Sequence, residues 1–306
     1  MRFDGIHHVT CITADAPGNV DFYTRILGLR LVKKSVNQDD PTVYHLFYAD
    51  EEGHAGSDIT FFEYPNARPG QAGDGMIHTV VWRVGSSDAL EFWANRLGSE
   101  GHEVEADGES LRFANPEGLR HELVVSHVSD EPLVAQHPEI PHDLALQGFE
   151  GVRAYGRPNG EFLAALGFEQ LEGGRWETRA ETRGGWIEYA EAPHVPAVGG
   201  AGTVHHVAWS STLEDHQAWH DRVADAGGDP TRTIDRFWFR SIYFREPAGV
   251  LFEIATLGPG FATDEDPAHL GEKLILPPAF EHLRERVEPV LTPLPDPRAG
   301  WATRSS

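Results

Sequence analysis

The stretch GTVHHVAWS at residues 202–210 decides the reading of this chain, because it repeats GIHHVTCIT at residues 5–13. In both, a His-His pair lies in a glycine-bounded run rich in β-branched residues, the composition of a strand. Downstream of the second comes GVLFEIAT at 249–256, an apolar run with Glu253 alone in its middle. A carboxylate buried in such a run needs a cation, a metal or strong hydrogen bonds. Arg236 or Arg245 could neutralise it, but His206 on the first strand of the same unit makes a metal the better partner. Two imidazoles and one carboxylate form a facial triad that leaves coordination positions open on an octahedral ion. Strand alternation puts His8, Thr10 and Ile12 on one side and His7, Val9 and Cys11 on the other, and puts His206 with Ala208. One histidine of each pair can therefore face a cavity.

The two segments open the first and last of four units that share one grammar: a strand, an amphipathic helix ending in glycine, then strands separated by Gly, Pro or Asp turns. The units begin HHVTCIT, IHTVVWRV, FEGVRAYG and VHHVAWSS. In Val20–Gly28, apolar Val20, Phe22, Tyr23, Ile26 and Leu27 approximate a 3.6-residue period, and Gly28 suits a left-handed cap. Leu90, Trp93, Ala94, Leu97 and Gly98 repeat the arrangement, as do Phe162, Ala165, Leu166 and Gly167. Each unit reads as βαβββ, which makes the chain an α+β protein. A lone unit cannot cover both faces of its small sheet, so four units imply two cupped half-barrels, each closed around a cavity. Linkers near Pro65–Gly75, Ser129–Gln147 and Ala192–Thr203 divide the chain. The expected division is an N-terminal pair of units at 1–128, a C-terminal pair at 146–257 and a wrapping tail at 258–306. The tail holds one helix around Phe280–Val290, and Trp301 near its end is a candidate pocket cover or subunit contact.

Composition narrows the function. The chain has 306 residues, 40% hydrophobic, with eight Trp, enough to fill a real core. The formal net charge is -23 and only Lys33, Lys34 and Lys273 are lysines, which opposes nucleic-acid or phosphate binding. Acidity spread along the chain with scarce lysine points to adaptation to high salt, where screening relieves self-repulsion. The single cysteine, Cys11, excludes an internal disulfide framework and any Cys-rich zinc or iron–sulfur site. No apolar run spans a membrane, and the first residues read as strand rather than signal peptide, so a cytoplasmic enzyme is expected. No GxGxxG, P-loop or nucleophile elbow is present.

The βαβββ units, the HHVT and HHVA openings, the stretch LGLRLVKKSVNQDDPTVYHLFYAD at 27–50 and the closing EPAGVLFEIAT resemble the vicinal oxygen chelate superfamily (glyoxalase, bleomycin resistance and extradiol dioxygenase proteins). More narrowly, they are similar to its ring-cleaving dioxygenases that act on hydroquinone-type substrates. The resemblance extends to about residue 290; the 27–50 stretch and the GVLFEIAT strand are specific to that subgroup. It implies Fe(II), with Mn(II) an alternative, held by His8, His206 and Glu253, and it implies that units one and four form the active half. By matching motif it also assigns catalytic or supporting roles to His7, Thr10, His205, Arg236 and Tyr243. The implied reaction is extradiol-type cleavage of a hydroquinone or catechol, with both atoms of O2 entering the product. The partners expected are a small aromatic diol and O2, with no nucleic acid or membrane, and a homodimer would be unsurprising.

Two other functions compete. Unit one ends SDITFFEYP, which puts Glu63 in the slot expected to match Glu253. As a fourth ligand Glu63 would make the site a glyoxalase-like isomerase; exposure at a sheet edge is the expected role. The other competitor is a non-catalytic small-molecule binder of the same superfamily. In the middle units His78 and Glu122 are expected to be hydrogen-bonded rather than metallated, with Glu188 a further candidate. His121, His194, His216 and His220 are expected at the solvated surface. Phe237, Trp238 and Phe239 are candidate pocket residues.

Overall fold

Strand-forming runs of Val, Ile, Phe and Trp separated by glycine turns assemble into sixteen strands in the computed structural model, which describes residues 1–298. Unit one comprises β1 (Ile6–Thr13), α1 (Ala16–Val20), β2 (Arg30–Val36), β3 (Tyr44–Ala49) and β4 (Asp58–Glu63). Unit two comprises β5 (Ile77–Val84), α2 (Ser87–Ser99), β6 (Val104–Ala106), β7 (Ser110–Ala114) and β8 (Arg120–Val125). Unit three comprises β9 (Phe149–Tyr155), α3 (Gly160–Ala165), β10 (Glu169–Gln170), β11 (Arg175–Arg179) and β12 (Gly184–Ala190). Unit four comprises β13 (Thr203–Ser211), α4 (His216–Asp225), β14 (Ile234–Asp235), β15 (Arg240–Arg245) and β16 (Leu251–Thr256). The helix expected in unit one becomes π-helical over Asp21–Ile26, and Gly28 follows at φ +72°, the left-handed conformation its position requires.

Sheet pairing cuts across the expected division of the chain. One eight-stranded sheet runs β14-β15-β16-β13-β1-β4-β3-β2 and the other β10-β11-β12-β9-β5-β8-β7-β6. The outer units one and four thus share a sheet, and the inner units two and three share the other. In each, the first strands of two units lie antiparallel at the centre, and within each unit the first and last strands are parallel. The spans 1–128 and 146–257 hold two units each, yet neither closes a sheet alone, because each first strand finds its partner in the other half.

Alternation then separates core from cavity. Val9, Cys11, Val207 and Trp209 of the first sheet join Val80, Trp82 and Val152 of the second in one buried apolar cluster. Residues of opposite parity, among them His8, Thr10 and His206, face away from that core and into the cup of the first sheet. The cup closes where the loop after β2 meets the segment before β15: Gln38 Nε2 donates to the Arg236 carbonyl at 2.8 Å and Asp39 receives the Arg236 guanidinium.

The tail packs along unit one. Leu270, Leu276, Val287 and Leu291 are buried, and Ile275 N–H donates to the Lys34 carbonyl at 2.9 Å. Lys33, fully buried on β2, is neutralised by Asp264 at 2.8 Å and by Glu265. The helix expected around Phe280–Val290 is a single turn, α5 (Arg284–Val287), flanked by 3-10 turns. Trp301 lies outside the described residues.

Candidate metal centre

The centre is built by sheet register. Across β1 and β13, His8 pairs with Ala208 and Thr10 with His206, while Glu253 on β16 pairs with Ala208 from the other side. Three side chains on one face of adjacent strands therefore converge. His8 Nε2 lies 3.3 Å from His206 Nε2 and 3.2 Å from a Glu253 oxygen, and His206 Nε2 lies 2.8 Å from the same oxygen. All three are buried, and no other group of three or more such side chains gathers in this way among the described residues.

The His-His pairs owe their form to two β-bulges. The register slips between Ile6 and His8, which leaves His7 without a partner, and between Thr10 and Cys11, which leaves His205 without one. Each bulged ring turns back onto the next: His7 Nδ1 stands 2.9 Å from His8 Nδ1, and His205 Nδ1 stands 2.8 Å from His206 Nδ1. Burial drops His7 to a pKa of about 3, so it is a neutral imidazole that donates Nε2–H to the Thr256 carbonyl at 3.1 Å. Its Nδ1 then accepts the His8 Nδ1–H, which leaves the His8 lone pair on Nε2, aimed at Glu253. Desolvation lowers His205 to about 4 although its side chain is the more exposed of the two, and among the described residues no carbonyl holds its Nε2 as Thr256 holds that of His7.

These donors fit a divalent cation. Burial alone would raise the Glu253 carboxyl, and only positive charge at the facing His8 and His206, a proton on the rings or a cation between them, holds it well below its ordinary range. Its oxygens receive no hydrogen bond of ordinary geometry. Lone pairs of two imidazoles and a carboxylate crowded into one buried spot repel one another unless a cation lies among them. Second-sphere contacts that orient imidazole ligands are normal at such sites, and both bulged histidines supply them.

A cavity opens on this cluster. Phe47, Phe62, Trp238 and Phe239 make its apolar walls, and Thr10, His45, Arg236 and Tyr243 its polar ones. Arg236 Nε lies 3.4 Å from the Tyr243 hydroxyl, and the guanidinium stands over the Tyr243 ring. Phe237 adopts φ +75°, which costs a bulky side chain about 1–3 kcal/mol. Bonds from Phe237 N–H to Asp235 at 2.8 Å and from Arg236 N–H to the Phe239 carbonyl at 2.9 Å hold this turn and present Arg236, Trp238 and Phe239 to the cavity together. Lys33 supports the same wall, since Trp238 Nε1–H donates to Asp264 at 3.1 Å. His7 and His205 do not line this cavity. His7 lines a second one, with the unpaired, fully buried Asp58, that shares Trp238 and Phe239 with the first.

Glu63 is neither a fourth donor nor an exposed edge residue. It is buried, accepts a 2.7 Å bond from Thr292 of the tail and lies apart from the three donors. Register shows why its expected slot was wrong. Thr10, two residues beyond His8, pairs with Thr60, as Ala208, two residues beyond His206, pairs with Glu253. The place equivalent to Glu253 is therefore Thr60, three residues earlier on β4.

The second sheet repeats the bulges without imidazoles at the donor places. His78 and Glu150 are its bulged residues, and Thr79 and Gly151 stand where His8 and His206 stand. Glu122 and Glu188 hold the carboxylate places, but Arg153, at the position of Ala208, bonds to both. His78 bonds Thr79 Oγ1 at 2.9 Å. His121 and His216 are buried, against the expectation of surface positions, because both side chains turn inward among packed aromatic and strand residues. His194 is exposed and His220 half-buried.

Residues 5–123 and 161–254, more than half of the chain, match the Glyoxalase/Bleomycin resistance protein/Dioxygenase superfamily. The chain belongs to this superfamily. Among its relatives is a Bacillus subtilis protein carrying the name ring-cleaving dioxygenase MhqA, 38% identical over 96% of this chain and all of that one. The chlorohydroquinone/hydroquinone 1,2-dioxygenase of Sphingobium indicum is 32% identical over 94% of this chain and 95% of its own. A crystal structure of a Bacillus subtilis protein described as a dioxygenase superposes with a TM-score of 0.88 at 38% identity, covering 96% of this chain and 98% of that one. Glyoxalase I from Zea mays, 14% identical with a TM-score of 0.56 over 82% of this chain and 92% of its own, shares the superfamily fold.

Sequence reasoning missed His45, Asn37, Gln38 and Asp39, which also line the cavity. All four fall in the 27–50 stretch, where a polar residue on an otherwise apolar strand, His45 in YHLFYAD, was the available signal. Asp58 and Thr60 escaped because their significance depends on register with β1.

Proposed function

We propose that the protein is a non-haem Fe(II)-dependent ring-cleaving dioxygenase of the extradiol type that acts on a hydroquinone-class aromatic diol. The supporting observation is the donor set: three convergent buried donors with Thr60, not a carboxylate, at the fourth equivalent place. That set leaves coordination positions open, whereas an added carboxylate would close one. The names of the similar proteins, ring-cleaving dioxygenase and hydroquinone 1,2-dioxygenase, agree with it. Among the described residues no helix is long and apolar enough to cross a membrane.

Iron held by His8, His206 and Glu253 would supply adjacent positions for a substrate oxygen and O2, and the redox chemistry that lets them react. The chain's residues set the rest. Phe47, Phe62, Trp238 and Phe239 clasp the aromatic ring and exclude water. Arg236, held by Asp39, puts a guanidinium on the cavity wall, where it would stabilise an ionised substrate hydroxyl. Burial keeps the Tyr243 hydroxyl protonated far above neutral pH, so it can hold a proton beside that charge. Both atoms of O2 end in the ring-opened product.

The test is metal analysis of anaerobically purified protein, then oxygen uptake with a panel of hydroquinones and catechols. Iron near one equivalent and oxygen consumed one-to-one with a hydroquinone are expected; manganese in its place would reassign the metal. Glu253→Gln should lose both metal and oxygen uptake, and undiminished uptake in that variant would sink the reading.

A further inference from the structure

His45 stands in the cavity with one nitrogen committed and one free. Its ring packs against two aromatic neighbours, Phe47 at 3.9 Å and Phe62 at 4.4 Å between centroids. Its Nε2 lies 2.9 Å from Thr60 Oγ1, and Thr60 Oγ1 lies 2.9 Å from Thr10 Oγ1, to which it donates. A hydroxyl has one proton, and Thr60 spends it on Thr10. With the Thr60 proton on Thr10, His45 donates Nε2–H to Thr60 and its lone pair lies on Nδ1. That nitrogen has no partner among the described residues, in a ring that lines the cavity. Burial lowers its basicity well below the ordinary value, so the ring is neutral.

The strand order sets where this acceptor lies. The three donors occupy β16, β13 and β1, whereas His45 is on β3, beyond β4. With strands about 4.8 Å apart, the β3 backbone lies roughly 10 Å from that of β1, and His45 reaches the cavity of the three donors from beyond β4.

We propose that His45 Nδ1 accepts a hydrogen bond from the second, still-protonated hydroxyl of an aromatic diol whose first oxygen is held at His8, His206 and Glu253. The inference rests on the dioxygenase reading and sharpens its substrate class. A 1,4-diol presents its oxygens at opposite ends of the ring and reaches both places. A 1,2-diol presents both at one edge and leaves His45 unpaired. A quinone offers only acceptors and gains nothing from an acceptor facing it. A site built to bond a hydroxyl discriminates against analogues that lack it, because its own buried group then goes unsatisfied.

The test is anaerobic equilibrium titration of the iron-loaded protein with hydroquinone, catechol and phenol, with Kd as the readout. Wild type should bind hydroquinone at least about tenfold more tightly than phenol, equivalent to about 1.4 kcal/mol. His45→Phe should bind the two alike, and His45→Gln, whose amide oxygen can accept, should recover part of the preference. Equal affinity for hydroquinone and phenol in wild type overturns the proposal without any variant. So does a tenfold preference that survives in His45→Phe, or a tighter affinity for catechol than for hydroquinone. Oxygen uptake separates the two readings: a wild type that prefers hydroquinone but consumes no oxygen with it refutes ring cleavage and leaves the His45 contact standing.

Discussion

Thr60 occupies in unit one the place that Glu253 occupies in unit four. Both stand on the last strand of their unit, opposite the residue two beyond the cavity-facing histidine. Units two and three put Glu122 and Glu188 at the same place, so unit one alone lacks a carboxylate there. The substitution keeps the site at three donors. It follows that Thr60→Glu should retain metal but lose oxygen uptake with a hydroquinone, since a fourth carboxylate would fill a position the reactants need. Thr60→Ser, which keeps the hydroxyl between His45 and Thr10, should retain both. Metal content and oxygen-electrode rates decide the matter, and full activity in Thr60→Glu would show that this place does not face the metal.

The bulged histidines predict a division of labour within each dipeptide. His7 and His205 touch the donor rings through Nδ1 and do not line the cavity. Replacing such a partner usually costs about 10–100-fold in metal affinity or activity. His7→Phe should therefore weaken metal binding by that order, measured by competition with a chelator, while His8→Phe should abolish it. His7→Gln, whose side-chain oxygen can accept the His8 Nδ1–H, should restore part of the affinity. Equal losses in His7→Phe and His7→Gln would reduce His7 to a packing role.

Arg153 takes over in the inner sheet the job a cation would do in the outer one. It donates to Glu122 at 2.6 Å and bonds Glu188, while Arg112 and Arg175 reach the same two carboxylates from outside. Glu122 is only 1% exposed, and without Arg153 it keeps only Arg112, which reaches it at 3.2 Å from the exposed side. Breaking a buried pair from one side costs about 3–5 kcal/mol. Arg153→Met should lower the urea midpoint by a matching amount and leave oxygen uptake per folded molecule unchanged, because the reacting site belongs to the other sheet. Lost activity without lost stability would contradict that separation.

The two His-His strands and the single carboxylate of GVLFEIAT made the donor set legible in the sequence, because period-two alternation alone sorts cavity residues from core residues. The βαβββ grammar was legible for the same reason. What escaped was register. Whether Glu63 or Thr60 matches Glu253 depends on how β4 slides along β1; the two lie on opposite faces, and DITFFE, apolar at Ile59, Phe61 and Phe62, does not alternate cleanly enough to say which face meets the cavity. The bulges escaped too: alternation assigned His7 and His205 to the far side, and only an inserted residue brings their rings back beside His8 and His206. His121 was misplaced because it lies in RHELVV beside charged residues, yet its ring packs against Phe113 and Trp82.

His121 carries the last prediction, a pH dependence of stability. The ring is fully buried; Trp82 Nε1–H donates to its Nδ1 at 3.1 Å, and its Nε2 meets the Tyr23 hydroxyl at 2.9 Å. Protonation would put the ring's second hydrogen on Nδ1, against the indole N–H, and burial lowers the pKa to about 3. In the unfolded chain the same imidazole titrates near 6.5. Above that pH both states are neutral and the group adds no pH dependence. Between about 6.5 and about 3 the unfolded chain binds a proton that the folded one refuses, so stability falls as pH falls, by about 1.4 kcal/mol per unit for one site. His121→Phe removes that proton from both states. The variant is expected to be less stable at pH 7, where Trp82 loses its acceptor, yet to lose stability less steeply between pH 6 and pH 4. Urea unfolding at several pH values measures the two slopes, and parallel slopes would mean that His121 is protonated in the folded protein.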